Sequence, residues 1–177
     1  MKKTAPRRLK AHITYLEMQE RPRQRIAAPT GHSIALLKAQ NIPVPFYRFL
    51  YEQVGKPHHW EMRRKMADAA LAALIHAPTT RIEVLYVGGC PAGFIELDAA
   101  LMPASVEIAY FGIIASFTGM GLGKWFLATA IEAAWEHGPK VVVVHTNTLD
   151  HPRALPLYQK LGFTPVGRGE EEVEAWE

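Results

Sequence analysis

The sequence has a single cysteine, Cys90, among 177 residues. A lone thiol excludes an internal disulfide and fits a reducing compartment. No Cys or His stands near Cys90 at zinc spacing, and no two histidines share a helical face, so no metal site is expected. Long apolar runs are absent too. The longest, even counting glycine, is Ile108–Ala115, well short of the roughly 20 residues of a membrane-spanning helix. Residues 1–30 hold no run long enough for a secretion signal. Neither sign of charge prevails: 20 Lys+Arg face 17 Asp+Glu, a net charge of +3. Charged residues are only 21% of the chain and hydrophobic ones 49%, a balance that excludes disorder of the main body. These absences, with a length suited to one domain, lead to the expectation of a single cytoplasmic domain over residues 1–177 with no membrane partner.

The charge is unevenly placed. Residues 1–30 carry eight basic side chains against Glu17 and Glu20, while Glu170, Glu171, Glu172, Glu174 and Glu177 crowd the end. A basic arm can serve nucleic acid, but this one lacks interleaved aromatics and no helix-turn-helix or zinc-finger spacing follows it. The expectation is a solvated, flexible arm over residues 1–12 and no nucleic-acid partner.

The chain holds no internal repeat. Apolar alternation suggests a first strand within Leu9–Met18, and residues 19–45, rich in Pro, Gly and Arg, read mostly as loop. Phe46–Val54 reads as a short helix. Glu61–His76 reads as a second, with Met62, Met66, Ala69 and Ala73 as its buried stripe. Arg81–Val87 and Ala92–Ala99 read as strands joined by a Gly88-Gly89 hairpin, with Val106–Ile114 a third. Leu122–Glu136 is an amphipathic helix stopped by Gly138-Pro139. Val141–Val144, four valines in a row, suits a strand covered on both faces. Asp150 is placed to cap a helix running to Lys160, and Phe163–Val166 and Val173–Trp176 read as closing strands. The order predicts an α/β sheet with helices over its faces.

The most informative segment joins the third of these strands to the long helix through Gly119, Gly121 and Gly123. Such a turn lets backbone N–H groups converge at a helix N-terminus, where the dipole favours a phosphate. A dinucleotide fingerprint fails because Lys124 stands where its third glycine is required. A Walker A loop fails because Thr118 and Trp125 occupy two of its required positions. A plain structural turn is the alternative.

Two segments together resemble the GNAT N-acetyltransferase superfamily. Its Gln/Arg-x-x-Gly-x-Gly/Ala loop falls on Thr118-Gly119-Met120-Gly121-Leu122-Gly123. Its Ala-x-x-x-Tyr-x-x-x-Gly-Phe signature falls on Ala154 to Phe163, with Tyr158 in place. The resemblance covers about residues 81–166. It implies a central mixed, mostly antiparallel β-sheet flanked by helices on both faces, and acetyl-CoA as co-substrate with an amine acceptor. It leaves open a homodimer and an alternative reading as a catalytically weak CoA-binding regulatory or scaffolding module. It implies that the loop from Thr118 through Gly119, Met120, Gly121, Leu122 and Gly123 to Lys124 holds the pyrophosphate. Ile113 would offer a backbone N–H to the acetyl carbonyl, and Ala115 would hold the pantetheine arm as though it were an added strand. Two positions depart from the family: Thr118 replaces Gln or Arg, and His151 replaces an Asn.

An alkyl amine near pKa 10.4 is about 0.1% neutral near pH 7.4, so a base would help. Strand periodicity sets Glu107, six residues before Ile113, on the same face, and the resemblance implies a base Glu at that offset in some members. Glu96 on the neighbouring strand is the rival, and an exposed strand Glu with no role is the alternative for both. Tyr158 matches the position facing the CoA sulfur, where a phenol can protonate the leaving thiolate. Its alternative is a packed core tyrosine. His58, His59 and Trp60, in the link between the first two helices, are either specificity residues or ordinary loop.

Overall fold

The protein is described by a computed structural model covering residues 6–176. Its elements run β1 (Arg8–Met18), β2 (Ile34–Lys38), α1 (Val44–Gly55), α2 (Asp68–Ile75), β3 (Thr80–Val87), β4 (Cys90–Asp98) and β5 (Ser105–Ile113). They continue with α3 (Leu122–Trp135), β6 (Val141–Asn147), α4 (Ala154–Lys160) and β7 (Thr164–Glu174). The strands form one sheet in the order β2-β3-β4-β5-β6-β1-β7. Every neighbouring pair is antiparallel except β5 with β6. This is the mixed, mostly antiparallel sheet with helices on both faces that the resemblance implies.

The local patterns explain the centre. Gly88 and Gly89 have φ of 58° and 81°, the left-handed pair that a two-residue hairpin needs to match strand twist. Apolar side chains then alternate between two cores. On one face α1 and α2 bury Tyr47, Leu50, Val54, Leu71 and Ile75 against Ile82, Val84 and Phe94. On the other, α3 and α4 bury Phe126, Leu127, Ile131 and Tyr158 against Ile95, Leu97, Ile108, Val142, Val144 and Leu16. Each such large apolar side chain contributes about 1.5–3 kcal/mol by leaving water. Gly112 of β5 is bare for a reason: a Cβ there would collide with Val54 of α1.

Several expectations are corrected. Residues 8–12 are no arm: Lys10, Ala11 and His12 pair with Glu172, Glu171 and Glu170 of β7, and Lys10 forms an ion pair with Glu170. The basic run therefore finds its partner in the acidic run near the other end. Residues 1–5 of the expected arm lie outside the described residues. β2 interrupts the segment read as loop; it is an edge strand with no fully buried residue, so its alternation is weak.

The second helix is shorter than its pattern. Residues 61–66 form turns whose Arg63 and Met66 carbonyls accept from the Arg48 guanidinium, while Glu61 Oε2 accepts the Glu174 N–H. Met62, placed in the buried stripe, is 70% exposed. The last two strands are one, β7. In the valine run Val142 and Val144 are buried but Val141 and Val143 only half-buried, because α1 and α2 pack over β3 to β5. Asp150 caps no helix: α4 begins at Ala154 with no side-chain cap, and the carboxylate is used elsewhere.

Candidate functional site

β5 and β6 pair over three residues only, from Ser105–Val141 to Glu107–Val143. Beyond that point β5 runs on to Ile113 and β6 to Asn147 without pairing to each other. The outer edge of β5 stays bound to β4, and Ile114 N–H donates to the Ala92 carbonyl at 2.8 Å. Successive N–H groups of a strand point to opposite edges. The N–H groups of Ile113 and Phe111 therefore face the gap between the parted strands. The Phe111 ring packs on Phe126, 5.0 Å between centroids. Its backbone is the part that sequence reasoning missed.

The gap leads to the glycine loop. Ala115 does not continue the strand. It opens a 3-10 turn, Ala115–Phe117, and its carbonyl accepts both the N–H and the hydroxyl of Thr118. The Thr118 side chain is thereby turned into the loop. Gly119 and Gly121 have φ of 82° and 75°, and a Cβ at either would meet nothing within 4 Å. Gly121 is the N-cap of α3, which has no side-chain cap. The first N–H groups of that 14-residue helix are left to an outside acceptor. An uncapped helix start behind two open glycine positions fits a pyrophosphate. Lys124 is exposed in the first turn, whereas Met120 packs on the core and Leu122 is buried. Only the backbone of Leu122 is available to a ligand. Gly123 has ordinary φ, and a Cβ there would touch Leu157 at 4.0 Å.

The two glutamates are separated by a β-bulge. Glu96 pairs with Tyr110 and Leu97 with Ile108, so Ala109 is an extra residue in β5. The bulge reverses the alternation, and Glu107 stands on the opposite face from Ile113, against the expected parity. It shares its face with Glu96 and Tyr110. At about 3.3 Å per residue, Glu107 lies some 17 Å along the strand from Ile113. Its carboxylate accepts from His145 Nδ1 of β6 at 2.9 Å. Glu96 is 1% exposed. It accepts from the Tyr47 hydroxyl and, at 2.7 Å, from Arg63 Nη2. Both its oxygens are engaged within the protein. Burial, then the Glu96 charge, pushes the Tyr47 phenol well above the ordinary range.

Tyr158 of α4 is 7% exposed, edge-on to Phe163 at 5.8 Å. Burial, with the charge of Asp150, pushes its phenol above its usual value, so it stays protonated at neutral pH. Asp150 is the residue whose role the sequence concealed. Its carboxylate accepts from Thr146 Oγ1 at 2.7 Å, Asn147 N–H at 3.0 Å and Trp60 Nε1 at 3.2 Å. Trp60 packs on Tyr110 at 4.9 Å, and His58 Nδ1 donates to the Leu149 carbonyl at 3.2 Å. The α1–α2 link thus crosses the mouth of the gap. His59 turns away and accepts the Trp176 N–H through Nδ1 at 2.9 Å. His151 is exposed, accepts the Arg153 N–H and lies 6.4 Å from the His58 ring. Ile113 and Tyr158 share the core beneath α3 and α4, and Trp60 and His58 reach Asp150 and Leu149 beyond the end of β6, whereas Glu96 is held by Tyr47 and Arg63 and Glu107 is tied to His145 on the face that carries Tyr110. Among the described residues no cluster of three or more His, Cys, Asp or Glu could hold a metal, and no helix is long and apolar enough to cross a membrane.

Residues 38–163 match the model of the acetyltransferase (GNAT) family, and the chain belongs to that family. Comparison with curated proteins gives no match. Among solved structures, a conserved protein of unknown function from Staphylococcus epidermidis superposes with a TM-score of 0.62 at 15% identity, over 96% of this chain and 64% of its own. A GCN5-related N-acetyltransferase from Kribbella flavida gives 0.62 at 16% identity, over 93% and 58%. An aminoglycoside N-acetyltransferase solved with CoA gives 0.57 at 18% identity, over 81% and 95%. At these identities the likeness is one of fold. The chain spans less than two thirds of the length of the first two.

Proposed function

We propose that this chain is an acetyl-CoA-dependent N-acetyltransferase that acylates a primary amine. One observation carries the reading: two backbone N–H groups, of Phe111 and Ile113, face a gap between parted strands that ends at an uncapped helix start behind Gly119 and Gly121. Acetyl-CoA would supply an activated acyl group as a thioester. The backbone of Gly119 to Gly123 holds its pyrophosphate, with Lys124 adding charge. A fixed N–H of β5 faces the carbonyl oxygen, where a preorganised donor is worth a few kcal/mol as negative charge develops. Tyr158, buried with the other face of the sheet, offers its hydroxyl to the departing sulfur. Trp60 and His58 border the side from which the amine arrives, and their rings shape its choice.

The deciding experiment is thiol release from acetyl-CoA across a panel of small and peptidyl amines. Amine-dependent release supports the proposal; acetyl-CoA binding with no release to any amine supports a CoA-binding module instead. A second test addresses the loop. Gly121→Asp forces a side chain onto a left-handed residue and sets a carboxylate against the pyrophosphate. Acetyl-CoA affinity measured by calorimetry is expected to fall at least tenfold, about 1.4 kcal/mol. Unchanged affinity in a folded variant would remove the loop from the site.

A further inference from the structure

His145 is a histidine that the proposed chemistry has not used. It stands on β6 two residues past Val143, the last residue paired with β5, at the point where the gap opens. Val143 and His145 point to one face, and Val143 is opposite Glu107, so His145 and Glu107 share the face that also carries Tyr110. The ring is held from two sides. Nδ1 donates to Glu107 Oε1 at 2.9 Å, and the Tyr15 ring of β1 lies 6.1 Å away at 47°. With Nδ1 committed to the carboxylate, Nε2 is the nitrogen left to accept. The side chain is 46% exposed, so it is open to a molecule arriving on this face. Tyr158 belongs to the core of the opposite face.

Resting on the acetyltransferase reading, we propose that His145 Nε2 takes the proton of the acceptor ammonium, with Glu107 as the positioning residue that fixes its tautomer and orientation. The ammonium gives one proton to Nε2. The neutral nitrogen attacks the thioester carbon, the C–N bond forms and the C–S bond breaks. The nitrogen loses a second proton as the amide forms, equal in number to the one the thiolate takes up, and the imidazolium returns its own to water. Base and acid thus stand on opposite faces of the sheet with the carbonyl in the gap between them.

The groups facing His145 are Glu107 and Tyr110 of β5, Tyr15 and Glu17 of β1, Asp150 beyond β6 and Glu171 of β7. The hydrogen bond that its Nδ1 donates to Glu107 raises the imidazole above its ordinary value against partial burial, and the charges of Glu107, Asp150 and Glu171 act in the same direction. A raised value makes a stronger base for an amine, at the expense of a smaller neutral fraction at low pH. The acid limb of kcat/KM therefore belongs to His145.

The test uses the full chain: thiol release against pH for wild type, His145→Gln and Glu107→Gln, with acetyl-CoA affinity measured for each. His145→Gln is expected to lower kcat/KM about a hundredfold, abolish the acid limb, leave acetyl-CoA affinity unchanged and recover part of its rate with free imidazole. Glu107→Gln is expected to shift the limb to lower pH, because the group that raises the imidazole is gone. A wild-type enzyme that turns over while His145→Gln keeps its rate and limb would overturn this inference alone. A wild type that binds acetyl-CoA yet acylates no amine would overturn the acetyltransferase reading and this one with it.

Discussion

Tyr158→Phe is expected to lower kcat about a hundredfold while acetyl-CoA affinity stays nearly constant. The substitution keeps the ring, its burial and its edge contact with Phe163 and removes only the hydroxyl. If that oxygen merely filled the core, its loss would cost about 1 kcal/mol of stability and leave turnover alone. A role at the sulfur predicts the reverse division, because the hydroxyl would matter most as charge builds on the leaving group. A thiol near pKa 8.5 is a moderate leaving group at neutral pH. A donor with a more acidic thiol needs less help, so the defect should narrow with it. Steady-state kinetics with both donors decides: normal kcat would defeat the acid role, and an equal defect with both would leave Tyr158 a positioning residue.

Arg63→Met is expected to destabilise the fold by about 3–5 kcal/mol in urea unfolding. The Arg63 side chain is 15% exposed and that of Glu96 1%, so their ion pair is largely dry. Removing the guanidinium strands the carboxylate with only the Tyr47 hydroxyl. It also removes the cation from above the Tyr110 ring, where Cζ sits 5.1 Å from the centroid. The triple variant Tyr47→Phe/Arg63→Met/Glu96→Leu should recover most of the loss, since exchanging a buried polar cluster for apolar groups of similar volume, with no hydroxyl left unpaired, is often close to neutral. A single variant as stable as wild type would show that solvent reaches the pair.

The elements legible in the sequence are those whose patterns are local. The β3–β4 hairpin announces itself in two glycines, and α3 in its apolar stripe and the glycine loop before it. What escaped depends on partners distant in the chain. β2 exists because β3 lies beside it; nothing in Ile34–Lys38 alone demands a strand. Residues 61–66 carry a helical pattern, yet their carbonyls and side chains are taken by Arg48, Glu96 and Glu174. The site divides in the same way. Backbone donors at Ile113 and the loop follow from a motif, while Asp150 meets Trp60 across 90 residues and could not be read from spacing. The parity argument for Glu107 failed on one inserted residue, Ala109, which no local composition marks.

β1 lies between β6 and β7, and His12 N–H reaches Thr148 Oγ1 across 136 residues. The strand that leads the described chain is therefore among the last to find its neighbours. The β3–β4–β5 meander can close through short loops, but Leu16 and Met18 must wait, apolar and unpaired, until β6 and α3 exist. Closing so long a loop is entropically unfavourable and slow. On a ribosome this strand emerges before β6 and β7 and remains a sticky edge until they follow. Its Lys10, His12 and Glu17, polar residues among the apolar ones, help to keep that edge from pairing with the wrong chain in the meantime.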